Sequence, residues 1–143
     1  MKNLQERLDG LRHLIRQPDF LMGRGLSNEV NIRIFCYDPR EEAAAAHFVR
    51  QLHGDASDAW RPVECNLYRV FLDACADLGI LDAILEMEEE RGSDFLREQL
   101  HAAVGVEAFI ARIRPETLVR GRDVLIITGV GDVFPFLRVH TLL

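Results

Sequence analysis

Lysine is almost missing from this chain: Lys2 is the only one, so nearly all of the 17 Lys and Arg side chains are guanidinium groups. A P-loop needs GxxxxGK[ST], whose lysine neutralises the phosphates that the backbone amides surround, and no such pattern occurs. Cysteine is scarce too. Cys36, Cys65 and Cys75 form no CxxC pair and, being odd in number, cannot all pair within one chain, which points to a reduced compartment. Cys36 and Cys65 fall in apolar, strand-like runs, where a thiol is a core filler rather than a nucleophile. The N-terminal MKNLQERLDGLRHLIRQ alternates charge with aliphatics and lacks the continuous apolar stretch of a signal peptide or membrane span, so a cytoplasmic location is expected. Positive charge is in deficit, with 23 Asp and Glu against 17 Lys and Arg and a formal net charge of -6. That balance repels nucleic-acid backbones and membrane surfaces, so neither non-specific DNA binding nor a membrane partner is expected.

What is present is enough apolar material, 48% of 143 residues, to build one core without metals or disulfides. Leu4, Leu8, Leu11 and Ile15 recur at helical spacing and predict an amphipathic first helix closed by Pro18. VNIRIFCYD, residues 30–38, alternates Val30, Ile32, Ile34 and Cys36 with Phe35 and Tyr37, which predicts a central strand buried on both faces. Asp38 then caps a helix that starts with Pro39. PVECNLY, 62–68, predicts a second strand, followed by four apolar-periodic helical segments punctuated by Gly79, Gly92 and Gly105, with Ser93 or Asp94 as an N-cap. RDVLIITGV, 122–130, predicts a third strand. Strands separated by helices imply parallel pairing with crossover connections. The expectation is a single α/β domain over residues 1–143: a layered αβα arrangement around a small, mainly parallel sheet, Rossmann-like or P-loop-like in topology but without a Walker A motif.

In such a sheet the ligand crevice lies beyond the carboxyl ends of the strands, where this chain offers Tyr37 and Asp38, Asn66 and Tyr68, then Thr128, Gly129, Gly131 and Asp132. The dinucleotide fingerprint GxGxxG fails here, because Phe134 stands where the third glycine should fall. TGVGDVFP therefore reads as a tight strand-to-helix turn with Pro135 opening a terminal helix. Phe134 and Phe136 alternatively offer apolar anchors for a partner. The five histidines show no metal-ligand spacing, and only His140, near Arg138, has the setting of an acid, base or interface donor. EMEEER, 86–91, reads as a solvated helix end rather than a cation site. No metal and no cofactor is expected. A small enzyme binding nucleotide or phosphate through Asp38, Thr128, Asp132, Arg138 and His140 stays open as the rival reading.

Three long stretches, PDFLMGRGLSNEVNIRIFCYDP, ECNLYRVFLDACADLGILDAILEMEEERG and LIITGVGDVFPFLRVHTLL, together resemble the BrxB proteins of bacteriophage exclusion (BREX) systems. Carried onto this chain, the family motif covers Pro18, Asp19, Phe20, Leu21, Gly25, Asn28, Glu29, Tyr37, Asp38 and Pro39. It resumes at Thr128, Gly129, Gly131, Pro135, Phe136, Leu137, Arg138 and His140, with Phe134 in place of a tryptophan. The resemblance implies a cytoplasmic, non-catalytic, bacterial protein-interaction component of antiviral defence, whose partners are the PglZ protein, an alkaline-phosphatase-like component, and other subunits of the system. Such relatives continue past HTLL into another strand and helix. The chain is thus either a shorter version or one lacking that strand and helix, and an unpaired sheet edge there would favour a homodimer.

Overall fold

The structure, a computed structural model, describes residues 2–22, 32–114 and 117–133. By its internal contacts the chain divides into two compact units, residues 1–63 with 118–125, and residues 64–117 with 126–143.

In the first unit Asn3 opens helix α1 (Leu4–Leu14), its side chain accepting a hydrogen bond from the Glu6 amide at 2.9 Å. That satisfies one of the amides a helix leaves orphaned at its start. Leu8 and, just past the helix, Ile15 are buried, as the apolar spacing predicts. Helix α2 (Pro18–Leu21) begins with its proline, where no amide is needed. Asp38 caps a 3₁₀ turn at Pro39–Glu41 that runs into α3 (Glu42–Gly54). Ala45, Phe48 and Leu52 form the buried stripe of α3. Trp60 is buried beside them in sequence order, its indole N–H donating to the Ile15 carbonyl at 3.1 Å.

In the second unit Asn66 caps α4 (Leu67–Asp77), which buries Leu67, Phe71, Ala74 and Cys75, one face at spacings of four, three and one. The second strand was expected to run through Leu67 to Tyr68; the Asn66 cap ends it and starts a helix there instead. Helices α5 (Ile84–Arg91), α6 (Ser93–Ala103) and α7 (Val106–Ile113) follow. The expected Ser93 or Asp94 cap is not formed. Gly92, at φ 87°, takes the N-cap position that a side-chain cap would need, and the Ser93 hydroxyl donates to Glu88 at 2.7 Å. Helix α4 packs against α7 and against a short helix, α8 (Val130–Val133), while α5 packs on α6. Phe109 of α7 and Val104 are wholly enclosed; burying a side chain such as Phe109 is worth about 1.5–3 kcal/mol.

Strands β1 (Arg61–Asn66) and β2 (Asp123–Thr128) pair in parallel as a two-stranded sheet, so the protein is a small, helix-rich α/β fold of the class its alternating pattern predicts. The expected first strand is different. Residues 32–37 carry no strand pairing among the described residues, and Val30 and Asn31 lie outside them. Ile34 is 72% exposed, Ile32 and Cys36 are exposed too, and Phe35 and Tyr37 are half-buried. The reason lies in α1: Arg7 donates to the Cys36 carbonyl and lays its guanidinium 4.5 Å over the Phe35 ring. A side chain thus takes a place that a neighbouring strand would fill. Alternation records two distinct faces, but it cannot supply a pairing partner.

Candidate functional site

At the carboxyl end of the sheet, β1 delivers Glu64 and Asn66 and β2 delivers Thr128 and Gly129, all within the second unit. The Thr128 hydroxyl donates to a Glu64 carboxylate oxygen at 3.1 Å. The Asn66 side-chain oxygen accepts from the Arg69 amide at 3.2 Å and so holds the first turn of α4. Gly129 stands against that cap: a Cβ built on it would come 2.4 Å from Asn66 Oδ1 and 3.1 Å from the Tyr68 amide nitrogen. Its φ of 71° is left-handed as well, so both backbone conformation and space demand glycine. The predicted strand-to-helix turn is present at this residue, but a helix starts at once, at Val130, inside the stretch expected to be turn up to Pro135. Gly131, by contrast, lies inside α8 with open space where a Cβ would go. Asp132 is exposed in the same short helix.

Asp38 and Pro39 belong to the first unit, where Asp38 caps the 3₁₀ turn that Pro39 opens. Asp38 accepts from the Arg40 amide at 2.9 Å and from the Arg40 guanidinium at 2.8 and 3.1 Å, and this pairing holds its carboxyl below the usual range. Phe134, Pro135, Phe136, Arg138 and His140, with the predicted terminal helix, lie outside the described residues.

Two features escaped the sequence reading. Glu64 carries no motif signal within the predicted second strand, yet its carboxylate accepts from the Thr128 hydroxyl. Asp123, at the start of the predicted third strand, has a fully enclosed side chain that takes the Arg122 and Arg61 guanidinium groups at 2.7 and 2.9 Å, with the Val119 amide at 3.0 Å. Arg122 first, then Arg61, hold its carboxyl far below the ordinary carboxylate range. The available signal was the Arg-Asp pair itself, placed at the mouth of a continuous apolar strand. The thiols are also informative: burial pushes Cys65 and Cys75 up, Cys65 further helped by Glu64, which disfavours the reactive thiolate at both. Cys36, expected in a core, is exposed.

Among the described residues no group of three or more His, Cys, Asp or Glu is placed to hold a metal ion, and no helix is long and apolar enough to cross a membrane.

The turn at Gly129 lies within the part of the chain that matches known proteins. A family model described as "BREX protein BrxB" matches residues 63–143, from β1 through the end of the sequence. The chain belongs to the BrxB family. A BrxB protein of Bacillus cereus (strain H3081.97) is 33% identical over 155 aligned positions, covering 100% of this chain and 77% of the relative. A BrxB protein of Escherichia coli O9:H4 (strain HS) is 23% identical over 140 positions, covering 98% of this chain and 70% of the relative. Membership makes this BrxB-family chain a component of BREX phage defence. No solved structure matches the chain significantly.

Proposed function

We propose that the chain acts in its BREX system as a non-catalytic, cytoplasmic interaction component, associating with other subunits and binding the PglZ-like protein in particular. The observation that carries the non-catalytic part is the filled turn at Gly129. In a phosphate-binding loop a glycine leaves room for ligand oxygens to approach the backbone. Here that room holds the Asn66 side-chain oxygen, itself an acceptor, with the Glu64 carboxylate bonded to the adjoining Thr128. Acceptors and a carboxylate disfavour an anion at this position. The PglZ part rests on the family motif alone.

Co-expression of the chain with the PglZ-like protein of its own locus, followed by size-exclusion chromatography with light scattering, tests the partnership. A complex of fixed stoichiometry is expected; two proteins eluting separately at micromolar concentration would remove PglZ as the partner. Calorimetric titration with nucleotides and divalent metals tests the other half. Saturable micromolar binding that Asp132→Ala abolishes would restore the enzyme reading.

A further inference from the structure

The second unit carries exposed leucines in a strongly acidic stretch, with Arg91, the last residue of α5, stacked over the Phe95 ring. Residues 70–90 contain Asp73, Asp77, Asp82, Glu86, Glu88, Glu89 and Glu90 and not one Lys, Arg or His. Leu78 ends α4; after the turn at Gly79, a 3₁₀ turn at Leu81–Ala83 leads directly into α5. Leu78, Leu81 and Leu85 are 56%, 38% and 75% exposed. Leu81 and Leu85 flank the junction between the 3₁₀ turn and α5, with Asp82 beside the first, while Glu86 and Glu90 lie one turn apart on α5 itself. Helix α5 packs on α6, yet none of its residues is buried; Ile84 and Met87 are only half-buried. A short helix cannot hold itself in water and needs an apolar face against a neighbour. Its most exposed leucine points away from the packing it has.

We infer that Leu78, Leu81 and Leu85, with the flanking carboxylates, form a docking face for a basic amphipathic helix of a partner protein, a placement that rests on reading the chain as an interaction component. Exposed leucines close together in the chain, set among carboxylates, fit the recognition of a helix's apolar face. The charge selects the occupant. A second copy of this chain would bring the same carboxylates against themselves, and an anionic membrane or a nucleic acid would be repelled likewise. A helix with leucines on one side and Lys or Arg on its flanks meets both the apolar strip and its rim. The Arg112 pairing with Asp77 and the Ser93 bond to Glu88 leave Asp82, Glu86 and Glu89 to make the rim contacts.

The test uses a fluorescein-labelled leucine–lysine peptide of about 18 residues, five helical turns, with its leucines on one face. Anisotropy against the full chain should show saturable binding that weakens as salt rises. The double variant Leu81→Asp/Leu85→Asp should bind at least about tenfold more weakly while its thermal melt stays at the wild-type value. Should that variant unfold, Leu85→Gln replaces it. Glu86→Lys/Glu89→Lys should weaken binding as well, and a leucine–glutamate peptide should not bind. The inference is overturned by absence of saturation up to about 1 mM peptide. It is equally overturned by charge variants that abolish binding while the leucine variants keep it, or by a homodimer that Leu85→Asp dissociates. Failure to co-purify with the PglZ-like protein bears on that partnership and not on the peptide result, so the two ideas fail separately.

Discussion

Replacing Gly129 with alanine adds one methyl group at the tightest backbone approach in the second unit. Two costs follow. Holding a non-glycine residue at φ 71° costs about 1–2 kcal/mol. The new Cβ also lands 2.4 Å from Asn66 Oδ1, and relief requires that side chain to rotate away. Rotation breaks the bond to the Arg69 amide, a cap worth about 1 kcal/mol. The Tyr68 amide at 3.1 Å is backbone and yields little. Together Gly129→Ala should destabilise the protein by about 3 kcal/mol. Urea unfolding followed by circular dichroism measures it, with m-values compared to verify a common unfolding reaction. A double-mutant cycle separates the two causes. In an Asn66→Ala background, where the cap is already gone and the oxygen absent, Gly129→Ala should cost only the conformational part, leaving a coupling of about 1 kcal/mol. A Gly129→Ala protein within about 0.5 kcal/mol of wild type, or strictly additive costs, would refute the account of this turn.

Asp123→Asn keeps the shape of the enclosed side chain but loses the charge that Arg122 and Arg61 hold, and should cost about 2–3 kcal/mol near neutral pH. Because the folded carboxyl lies below its unfolded value, this stabilisation is complete above the ordinary carboxylate range and is lost as pH falls toward the folded value. The gap between variant and wild type should therefore narrow from about pH 5 downward; a gap independent of pH would contradict the pairing. A thiol-reactive reagent should modify one of the three cysteines rapidly in the native protein, the one that Cys36→Ser removes, with Cys65 and Cys75 reacting only on unfolding. Prompt reaction at all three would show that the two buried thiols are accessible.

The parts legible in the sequence were those specified by neighbours along the chain. The valine and isoleucines of β2, the stripe Ala45, Phe48 and Leu52 in α3, the Asp38 cap and the glycine that must end β2 all depend on spacing or on the conformation of one residue. What the sequence concealed were choices among distant partners. VNIRIFCYD has a strand's pattern, but Arg7 occupies the Cys36 carbonyl from 29 residues away. Asn66 looked like a strand residue until its side chain turned to cap the helix that follows. Trp60 joins Ile15 across 45 residues, which no periodicity announces. At the candidate site, Gly129 and Thr128 were visible as motif positions, whereas the oxygen that fills the turn became visible only with Asn66 in place.

The first unit closes on residues 118–125, which are made after the whole of residues 64–117. During synthesis α1, α3 and Trp60 leave the ribosome early, yet Asp123, the carboxylate that Arg61 needs, arrives about sixty residues later, several seconds at ordinary elongation rates. Until then the Arg61 guanidinium lacks that carboxylate partner. Cutting the gene at the boundary after Val63 would separate the unit from its own last strand segment. Anyone wishing to study the halves alone would have to rejoin them by permuting the chain.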